Sequence, residues 1–550
     1  MENIKLELED KKVVNMSQGC TFKELVDKYY KDESIVLCEL NGDYYELGSK
    51  IPESGKINVI FANSDVGWRV YSRTLQFIFI KVALDIFKDA KITMEHSISK
   101  GIFGEIHKDS SLTIEEVKLI KEKMTELINK DVEIKKISVD KEKAIEIFES
   151  YGMQDKVLLL KQVDFKKVNL YELEGRYDYF YGQMAYSTGI IKAFDVIKYA
   201  HGFVLRNPQS TDITKLHEFV EQKRLAGIFY ETKEWLRILG IGEVESLNNK
   251  VLNGKLKDVI LVSEALHEKK IAQIADKIVL KKDIKVVLIA GPSSSGKTTF
   301  ANRLGIQLRV NGLKPIPISL DDYFLNREDT PRDEDGNYDF ETVNAIDLKL
   351  FNKNLNELLQ GKEVEIPSYN FKTGKREWVN HKIKLPDNGV LIVEGIHGLN
   401  PILTSEVNDE NKFKIYISAL TQLSLDNHNR IATTDVRKIR RIVRDFLSRG
   451  YGAEETLAMW PSIKRGEKKN IFVYQEEADV MFNSTLVYEL SVLKKYALEE
   501  LNKIEKGSPV YNEAVRLKSF LNFFKEIEFE DVPDNSILRE FIGGSCFYKY

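Results

Sequence analysis

The chain has 550 residues, of which 43% are hydrophobic and 30% charged, and its net charge is only −4. This composition is typical of a globular protein with several cores. So small a net charge gives no overall basic field for nucleic acid, although a local basic patch is still compatible with it.

Three widely spaced cysteines, Cys20, Cys38 and Cys546, argue against a disulfide framework or a thiolate zinc site and indicate a reducing compartment. The first residues alternate in charge and lack the apolar core of a signal peptide. No apolar run approaches the length of a membrane-spanning helix. We therefore expect a cytoplasmic protein with no membrane partner, and the sequence leaves a homo-oligomer open.

Residues 1–62 are predicted to form a small β-grasp domain. Ile4, Leu6 and Leu8 alternate with charged residues, as in a half-buried strand. Thr21-Phe-Lys-Glu24 fits a capping box that opens a short helix. Further strands are predicted at Ile35–Leu40, Tyr44–Leu47 and Lys56–Phe61, with Asn41-Gly42 as the turn between the first two.

Residues 63–225 are predicted to form a second, α+β domain, and residues 226–283 a helical connector. Helical periodicity is clear at Ser72–Lys88, Ile114–Ile128 and Asp140–Tyr151. An aromatic stretch punctuated by glycines follows at 177–189. In these two regions helices and strands do not alternate regularly.

Residues 284–500 are predicted to form an α/β domain with a doubly wound parallel sheet, because strands alternate with helices. The predicted strands are Ile284–Ala290, Pro315–Leu320, Val390–Val393, Phe413–Ser418 and Ala478–Phe482. In such sheets ligands bind beyond the carboxyl ends of the strands. The remaining residues, 501–550, are expected to pack on this domain as an extension.

The segment Gly291-Pro-Ser-Ser-Ser-Gly296-Lys297-Thr298 fits the pattern G-x-x-x-x-G-K-[ST] of a phosphate-binding loop. It follows a predicted buried strand and precedes a predicted helix, whose N-terminus would face an anion. A glycine- and serine-rich turn without function is the alternative. We expect nucleotide phosphates to contact the loop and the first helical turn: Gly291, Ser293, Ser294, Ser295, Gly296, Lys297, Thr298 and Thr299.

Two carboxylates follow predicted strands of this sheet. Asp321 is placed to accept a proton from a hydroxyl that attacks a γ-phosphate, and Glu394 to help hold Mg²⁺. The alternatives are a solvated loop acid for Asp321 and a structural cap for Glu394.

Arg437–Arg449 is predicted to be a basic amphipathic helix, with Arg437, Arg440, Arg441 and Arg444 on one stripe. Arginine forks suit the charge that spreads over a transferring phosphoryl group. A solvated face that touches RNA is an equal alternative. Tyr369 and Phe371 are aromatic residues suited to stacking on a base, although such pairs more often belong to a core.

Taken together, these motifs resemble the uridine kinase and phosphoribulokinase-like family of phosphate-loop kinases over residues 284–500. The resemblance implies that Asp321 is the catalytic base and that Thr298, Asp321 and Glu394 surround Mg²⁺. It also implies catalytic roles for Lys297, Arg440 and Arg444, with Arg441 and Arg449 binding ATP from the same lid. Substrate would then contact Glu341, Tyr369, Phe371 and Arg437.

Two residues depart from the pattern of that family. Phe324 stands where uridine kinases usually have a tyrosine, and Gly374 where a base-reading histidine would follow Tyr369-Asn-Phe371. Discrimination of a pyrimidine by buried hydrogen bonds would then be weaker. The acceptor could be another nucleoside or a different small alcohol.

The front half resembles the first two domains of threonyl-tRNA synthetases: the β-grasp (TGS) domain over 1–62 and the editing-associated domain over 63–225. His96 fits the first position of that domain's H-x-x-x-H pattern, but Lys100 stands at the second. A zinc or editing site is therefore not expected. Contact with RNA through residues 1–225 stays open.

These resemblances imply an enzyme that uses ATP and Mg²⁺ to phosphorylate the 5′-hydroxyl of a uridine- or cytidine-like nucleoside. The first alternative is an RNA- or tRNA-binding regulatory protein whose phosphate-loop domain senses a nucleotide. The second is a phosphate-loop kinase that acts on another small alcohol.

Overall fold

The computed structural model describes residues 3–334 and 336–548. Its first five strands form one sheet in the order β2-β1-β5-β3-β4, in which β1 and β5 are parallel and the other pairs antiparallel. The elements are β1 Asn3–Glu7, β2 Val13–Ser17, α1 Phe22–Tyr29, β3 Ile35–Leu40, β4 Asp43–Glu46 and β5 Gly55–Phe61. The predicted capping box is present: Glu24 donates its backbone N–H to Thr21 Oγ1 (3.2 Å) and accepts the Thr21 N–H (2.7 Å).

A second group of elements follows, with antiparallel sheets in the orders β11-β12-β7-β6 and β10-β9-β8 and a two-stranded antiparallel sheet of β13 and β14. The elements are α2 Asp65–Ile86, β6 Lys91–Ile98, β7 Gly101–His107, α3 Ile114–Asn129, β8 Lys135–Asp140, α4 Lys141–Ser150, α5 Gln154–Gln162, β9 Lys167–Leu173, β10 Arg176–Asp178, β11 Asp195–Tyr199, β12 Gly202–Arg206, β13 Pro208–Gln209 and β14 Asp212–Leu216. Three helices then lead to the next sheet: α6 Lys223–Leu239, α7 Val244–Leu252 and α8 Leu256–Leu280. The specific fold families assigned to residues 1–225 stay predictions.

The third group contains the predicted parallel sheet, with all five strands in the order β16-β19-β15-β20-β21. Its elements are β15 Val286–Ala290, α9 Lys297–Val310, β16 Lys314–Ser319, α10 Leu348–Leu359, β17 Glu363–Asn370, β18 Lys375–Lys384, β19 Gly389–Glu394, β20 Lys412–Ser418, α11 Thr433–Arg449, α12 Ala453–Asn470, β21 Val480–Asn483 and α13 Glu489–Leu501. The central strands β15 and β19 are fully buried, as expected for a parallel sheet covered on both faces.

The sequence analysis did not predict the antiparallel hairpin of β17 and β18. Strand β18 is largely exposed and has no alternating apolar pattern, so hydrophobic periodicity could not reveal it. The hairpin carries Tyr369 and Phe371 to the carboxyl edge of the parallel sheet.

The last part of the chain packs into the core beside the phosphate-binding loop. It contains α14 Tyr511–Leu521 and α15 Arg539–Ile542. Ile537, Leu538 and Phe541 are each at most 1% exposed and belong to the same hydrophobic cluster as β15 and α9. Within residues 3–334 and 336–548, no helix is both long and apolar enough to cross a membrane.

The front half is joined to the segment between β20 and α11 by a buried network of charged groups. Lys156 Nζ lies 2.8 Å from Asp426 Oδ1 and 3.2 Å from Asp178 Oδ1. His428 Nδ1 lies 2.7 Å from the other oxygen of Asp178. All four side chains are at most 4% exposed, so this network holds the front half against the segment between β20 and α11.

Candidate phosphate-transfer site

The predicted phosphate-binding loop joins β15 to α9 at the carboxyl edge of the parallel sheet. Gly296 has φ = 82°, and a Cβ atom there would lie 2.5 Å from Ile537, so only glycine fits this position. Ser294 also has a positive φ of 60°. Helix α9 begins immediately afterwards at Lys297, and its first backbone N–H groups have no helical acceptor.

Several polar groups of the loop are suited to an anion. The hydroxyls of Ser294 and Ser295 are buried and have no hydrogen-bond partner among the residues that the structure describes. Lys297 Nζ donates to the carbonyl of Pro292 (3.2 Å). Burial lowers the pKa of Lys297, although the negative charges of Glu394 and Asp321 oppose this. A partly buried ammonium beside unpaired hydroxyls is the electrostatic setting that a phosphate would complete.

Glu394 is the last residue of β19, and in the sheet it is paired with one residue of each neighbouring strand. Ser319 at the end of β16 is its strand partner on one side, and Ile289 of β15 on the other. Glu394 Oε1 accepts hydrogen bonds from Thr298 Oγ1 and Ser319 Oγ, both at 3.2 Å. Burial and the charge of Asp321 raise the pKa of Glu394 to about 7. Ser319 was not among the predicted residues, although the strand-end rule could have found it.

Asp321 lies in a 3₁₀ turn, Leu320–Tyr323, directly after β16. Its charge affects the pKa values of Lys297, Glu394 and Arg449, so the structure brings these four residues together. Among the described residues its carboxylate accepts no hydrogen bond, and it is only partly buried. Asp321 is therefore free to accept a hydrogen bond from an added hydroxyl.

Arg437 and Arg440 of α11 hold the loop through its backbone carbonyls. Arg437 Nε donates to the carbonyl of Ser293 (2.9 Å), and its guanidinium pairs with Glu467. Arg440 is fully buried, donates to the carbonyls of Ser294 (3.3 Å) and Ser484 (2.8 Å), and pairs with Glu489.

This arrangement favours a structural role for both arginines over the predicted ones. Arg440 was expected to be a catalytic lid residue and Arg437 a substrate contact. Each guanidinium instead contacts a buried carboxylate and the phosphate-binding loop. These contacts could not be predicted, because the sequence pattern shows which residues share a helix face but not what that face packs against.

Arg441, Arg444 and Arg449 surround a single carboxylate. Arg441 Nε lies 3.0 Å from Asp445, Arg444 2.7 Å and Arg449 3.7 Å. Burial alone would raise the pKa of Asp445, but the three arginines lower it below its usual value. Three guanidinium groups around one carboxylate make this group of residues cationic, which favours binding of an anion. Arg441 also donates to the hydroxyl of Ser293 (2.9 Å) and so reaches the loop.

Glu341 lies near the arginines of α11 and near Lys297. Its Oε2 atom is buried without a hydrogen-bond partner among the described residues. Burial and the charge of Glu467 raise its pKa to about 7, against the opposing charges of Arg441 and Arg437. Since buried polar atoms are nearly always paired, this orphan oxygen indicates a missing hydrogen-bond donor.

Tyr369 and Phe371 differ in their surroundings. Tyr369 is 8% exposed and packs against Phe324 (5.6 Å between centroids), while its backbone N–H donates to Asp322 Oδ1 (3.1 Å). Burial raises the pKa of Asp322 to about 6. Phe371 is 36% exposed and lies beneath Arg449 (4.6 Å to the ring centroid). Of the two rings, Phe371 is therefore the more available to a ligand.

The two departures from the uridine kinase pattern have physical reasons. Gly374 has φ = 70° at the tip of the β17–β18 hairpin, and a Cβ there would lie 2.8 Å from Arg327. Arg327 donates to the carbonyl of Phe371 (2.9 Å) and so occupies the space in which a side chain at 374 would lie. Phe324 is buried among aromatic rings, where a hydroxyl would need a partner.

Thr299 has a partner that sequence reasoning missed. Glu540 of α15 accepts hydrogen bonds from the backbone N–H (3.1 Å) and the hydroxyl (3.0 Å) of Thr299, and Tyr548 OH lies 2.6 Å from the same hydroxyl. A carboxylate thus occupies the first turn of α9, where a phosphate was predicted to bind. No local signal in the sequence distinguishes Glu540 from other acids of the extension.

The donor set agrees with nucleotide and Mg²⁺ binding. The loop offers unpaired hydroxyls and helix N–H groups for phosphates, and Thr298, Asp321 and Glu394 offer the oxygen ligands that Mg²⁺ prefers alongside phosphate oxygens and water. In the described part of the chain, no three His, Cys, Asp or Glu side chains converge in a way that could hold a metal ion by themselves.

His96 and Lys100 lie outside this site. His96 is 7% exposed and stacks on Phe229 (3.8 Å between centroids) and Phe103 (4.9 Å). Burial lowers its pKa to about 3, so it is a neutral, packed ring at ordinary pH. Lys100 has φ = 62° in the turn between β6 and β7.

Comparison with known proteins divides the chain into two parts. Residues 286–491 match the model of the phosphoribulokinase / uridine kinase family. Uridine-cytidine kinase A of Dictyostelium discoideum is 28% identical over 44% of this chain and 46% of its own length. The N-terminal region matches threonine–tRNA ligases, for example that of Rickettsia akari, which is 25% identical over 41% of this chain and 34% of its own length.

The matched segments thus span about a third to a half of the length of these relatives. Among solved structures, a possible uridine kinase from Bacillus stearothermophilus aligns with 19% identity and a TM-score of 0.26 over 38% of this chain and 98% of that chain. The match of residues 286–491 supports a phosphate-loop kinase region in this protein.

Proposed function

We propose, from the family match of residues 286–491, that this protein is an ATP-dependent kinase that phosphorylates the 5′-hydroxyl of a uridine- or cytidine-like nucleoside. One observation carries the proposal: Lys297, Asp321 and Glu394 lie together around the phosphate-binding loop, although they are far apart in the sequence. The arginine cluster, which consists of Arg441, Arg444 and Arg449, lies beside them. Phosphoryl transfer needs this combination of cations, metal-ligating oxygens and a base.

In the proposed reaction ATP binds with its phosphates against the loop and the first turn of α9. Asp321 accepts the proton of the attacking hydroxyl and orients its oxygen in line with the γ-phosphorus. Lys297, Arg441 and Arg444 stabilise the negative charge on the transferring group. The oxygen–phosphorus bond to ADP breaks as the bond to the acceptor oxygen forms.

Thr298, Asp321 and Glu394 would hold Mg²⁺, which when bound neutralises charge on the phosphates. Glu394 is the residue of this set whose protonation changes near neutral pH, because its pKa is raised to about 7. Thr298 and Ser319 orient its carboxylate through their hydrogen bonds.

Glu341 and Phe371 are the acceptor contacts that the geometry favours. The unpaired oxygen of Glu341 is suited to a sugar hydroxyl, and the exposed ring of Phe371 to a flat base. Because Arg327 fills the space next to Gly374, a base would meet a guanidinium there rather than an imidazole. A different small alcohol as acceptor is therefore the alternative within the same mechanism.

A phosphotransfer screen tests the proposal. The full-length protein is incubated with Mg²⁺ and ATP labelled in its γ-phosphate, and label is followed into nucleosides and small alcohols. We expect label in a pyrimidine nucleoside 5′-monophosphate, and its loss in Lys297→Ala but not in Lys285→Ala, which alters an exposed lysine of the same domain. Transfer to no hydroxyl compound would contradict the proposal.

RNA binding is a second candidate function, favoured by the match of the N-terminal region to threonine–tRNA ligases. In this case the front half would bind tRNA and the loop would sense a nucleotide. Filter binding of tRNA to the full chain at several salt concentrations tests it, since phosphate contacts give a steep salt dependence. No binding at low salt would exclude this candidate.

A further inference from the structure

A cavity of about 300 Å³ lies between the front half and the domain that carries the phosphate-binding loop. Its walls come from α2, from the segment that joins β20 to α11, and from α11, α12 and α14. No residue of the phosphate-binding loop lines it. The volume is at the lower end of the range of roughly 300–1,000 Å³ that small-molecule sites occupy, so the cavity suits a small ligand.

The walls carry more positive than negative charge. Asp65 and Asp435 are the carboxylates in the lining, and Glu513 pairs with three of the lining cations. Six cations against these three carboxylates leave an excess of three positive charges. The six lining cations are Arg69, Arg73, Arg430, Lys438, Lys464 and Arg516.

Arg73 and Arg430 account for much of this excess. Among the described residues, neither guanidinium forms an ion pair, and Arg73 makes a single hydrogen bond, to the carbonyl of Gln183. Burial, together with the charges of Arg69 and Arg516, lowers the pKa of Arg73 to about 10. Asp435, which already pairs with Arg516, is the negative charge that acts on Arg430. A bound anion would offset more of the cost of burying the two guanidinium groups.

Aromatic side chains form another part of the lining. They include Trp68, which is partly exposed, Phe180 and Trp460. A flat base can stack on the face of an aromatic ring. A phosphomonoester carries about −1.5 to −2 charges at neutral pH, which matches two unpaired arginines.

We propose that this cavity is a second ligand site, distinct from the phosphate-transfer site, that binds a nucleoside monophosphate. Its phosphate lies on Arg73 and Arg430 and its base against the aromatic lining. The site is connected to the phosphate-binding loop through α11: Lys438 lines the cavity, and the preceding Arg437 donates to the loop carbonyl of Ser293. Lys438 and Arg437 both lie over the ring of Trp460, at 5.6 Å and 5.4 Å from its centroid, respectively.

Calorimetric titration of the full chain with UMP, uridine and inorganic phosphate tests the proposal without any measurement of phosphotransfer. For the binding that Arg430→Gln removes, we expect UMP to bind more tightly than inorganic phosphate, and uridine most weakly. Uridine that binds as an acceptor at the phosphate-transfer site should be unaffected by that variant. Arg430→Gln should weaken UMP binding about 10-fold to 100-fold, since it removes a hydrogen bond between charged groups. Arg237→Gln is the matched control, because Arg237 is exposed and does not line the cavity. Its UMP affinity should equal that of the wild type.

The same titrations in Lys297→Ala separate this cavity from the phosphate-binding loop. We expect UMP binding that depends on Arg430 to persist in that background. If Arg430→Gln fails to fold, Trp68→Leu replaces it and should weaken UMP binding but not phosphate binding. The proposal is overturned if Arg430→Gln binds UMP as the wild type does, if Lys297→Ala abolishes binding, or if inorganic phosphate binds as tightly as UMP.

Discussion

Glu394 makes the site sensitive to pH near neutrality. Its pKa of about 7 lies above the ordinary value of a glutamate, because burial and the charge of Asp321 disfavour ionisation. The native state therefore holds more protons than the unfolded chain between about pH 4 and 7, and this group makes the free energy of unfolding fall as pH rises through that window. Binding of Mg²⁺ needs the ionised form, so its dependence on pH has the opposite sign.

The first prediction follows from that sign. Because only about a tenth of a group with this pKa is ionised at pH 6, the apparent affinity for Mg²⁺–nucleotide should fall about tenfold between pH 8 and pH 6. Fluorescence titration with a labelled ATP analogue measures this. Glu394→Gln should bind more weakly and show little dependence on pH. A wild-type affinity that stays flat over this range would show that Glu394 does not ligate the metal.

Arg440 illustrates how a residue near the chemistry can act on stability. It pairs with Glu489, which is 1% exposed, and holds the loop carbonyl of Ser294. Arg440→Met leaves a carboxylate buried and unpaired, which we expect to reduce the free energy of unfolding by about 3–5 kcal/mol. Urea denaturation measures it. Arg440→Met combined with Glu489→Leu should recover most of the loss, and a single variant within 1 kcal/mol of the wild type would contradict the structural role.

At the scale of elements, α15 competes with a phosphate for the start of α9. Glu540 accepts the N–H and hydroxyl of Thr299, and its charge also acts on Lys297 and Glu394. The first turn of a helix has N–H groups without helical partners, and an anion there is stabilised by about 0.3–1 kcal/mol. A nucleotide must therefore displace this carboxylate to use the same amide.

Glu540→Gln removes the charge and keeps a hydrogen-bond acceptor. We expect nucleotide to bind about twofold to fivefold more tightly to this variant, as measured by calorimetry. Glu530→Gln, which changes an exposed acid of the same extension, should behave as the wild type. Weaker nucleotide binding in Glu540→Gln would mean that the carboxylate supports the site rather than competing for it.

The sequence predicted the strands of the parallel sheet well, because the central strands β15 and β19 are short apolar runs followed by a turn. It predicted Asp321 and Glu394 as site residues for the same reason, since the carboxyl ends of parallel strands meet at one edge. It could not predict the partners of Arg437 and Arg440, because Glu467 and Glu489 come from other helices. The β17–β18 hairpin and the contact of Glu540 likewise depend on tertiary packing that no local pattern reports.

At the scale of the whole molecule, the front half is attached through charged groups that water does not reach. Asp178 pairs with both Lys156 and His428, and Lys156 also pairs with Asp426. The two aspartates belong to the front half and to the segment before α11, respectively. This network fixes the start of α11 relative to the front half. A change in the front half can therefore shift the position of α11.

Asp178→Asn should loosen this attachment. We expect a loss of about 3–5 kcal/mol, because Lys156 and His428 lose a shared buried partner. Hydrogen exchange of residues 425–432, followed by mass spectrometry, should become faster than in the wild type. Asp164→Asn, at an exposed position of the same domain, serves as the control. Unchanged exchange in Asp178→Asn would show that the interface is held by its apolar contacts instead.

The role of Asp321 as the base is the central claim, and a single-turnover assay of Asp321→Asn tests it most directly. The measurement follows transfer of the γ-phosphate of bound ATP to the best acceptor of the screen, with Glu328→Gln, an exposed acid of the following loop, as the matched control. At Mg²⁺–ATP concentrations that saturate both proteins and so offset the loss of one proposed metal ligand, we expect Asp321→Asn to transfer phosphate about 10²-fold to 10⁴-fold more slowly, while the control transfers at the wild-type rate. Transfer by Asp321→Asn at the wild-type rate would contradict the account.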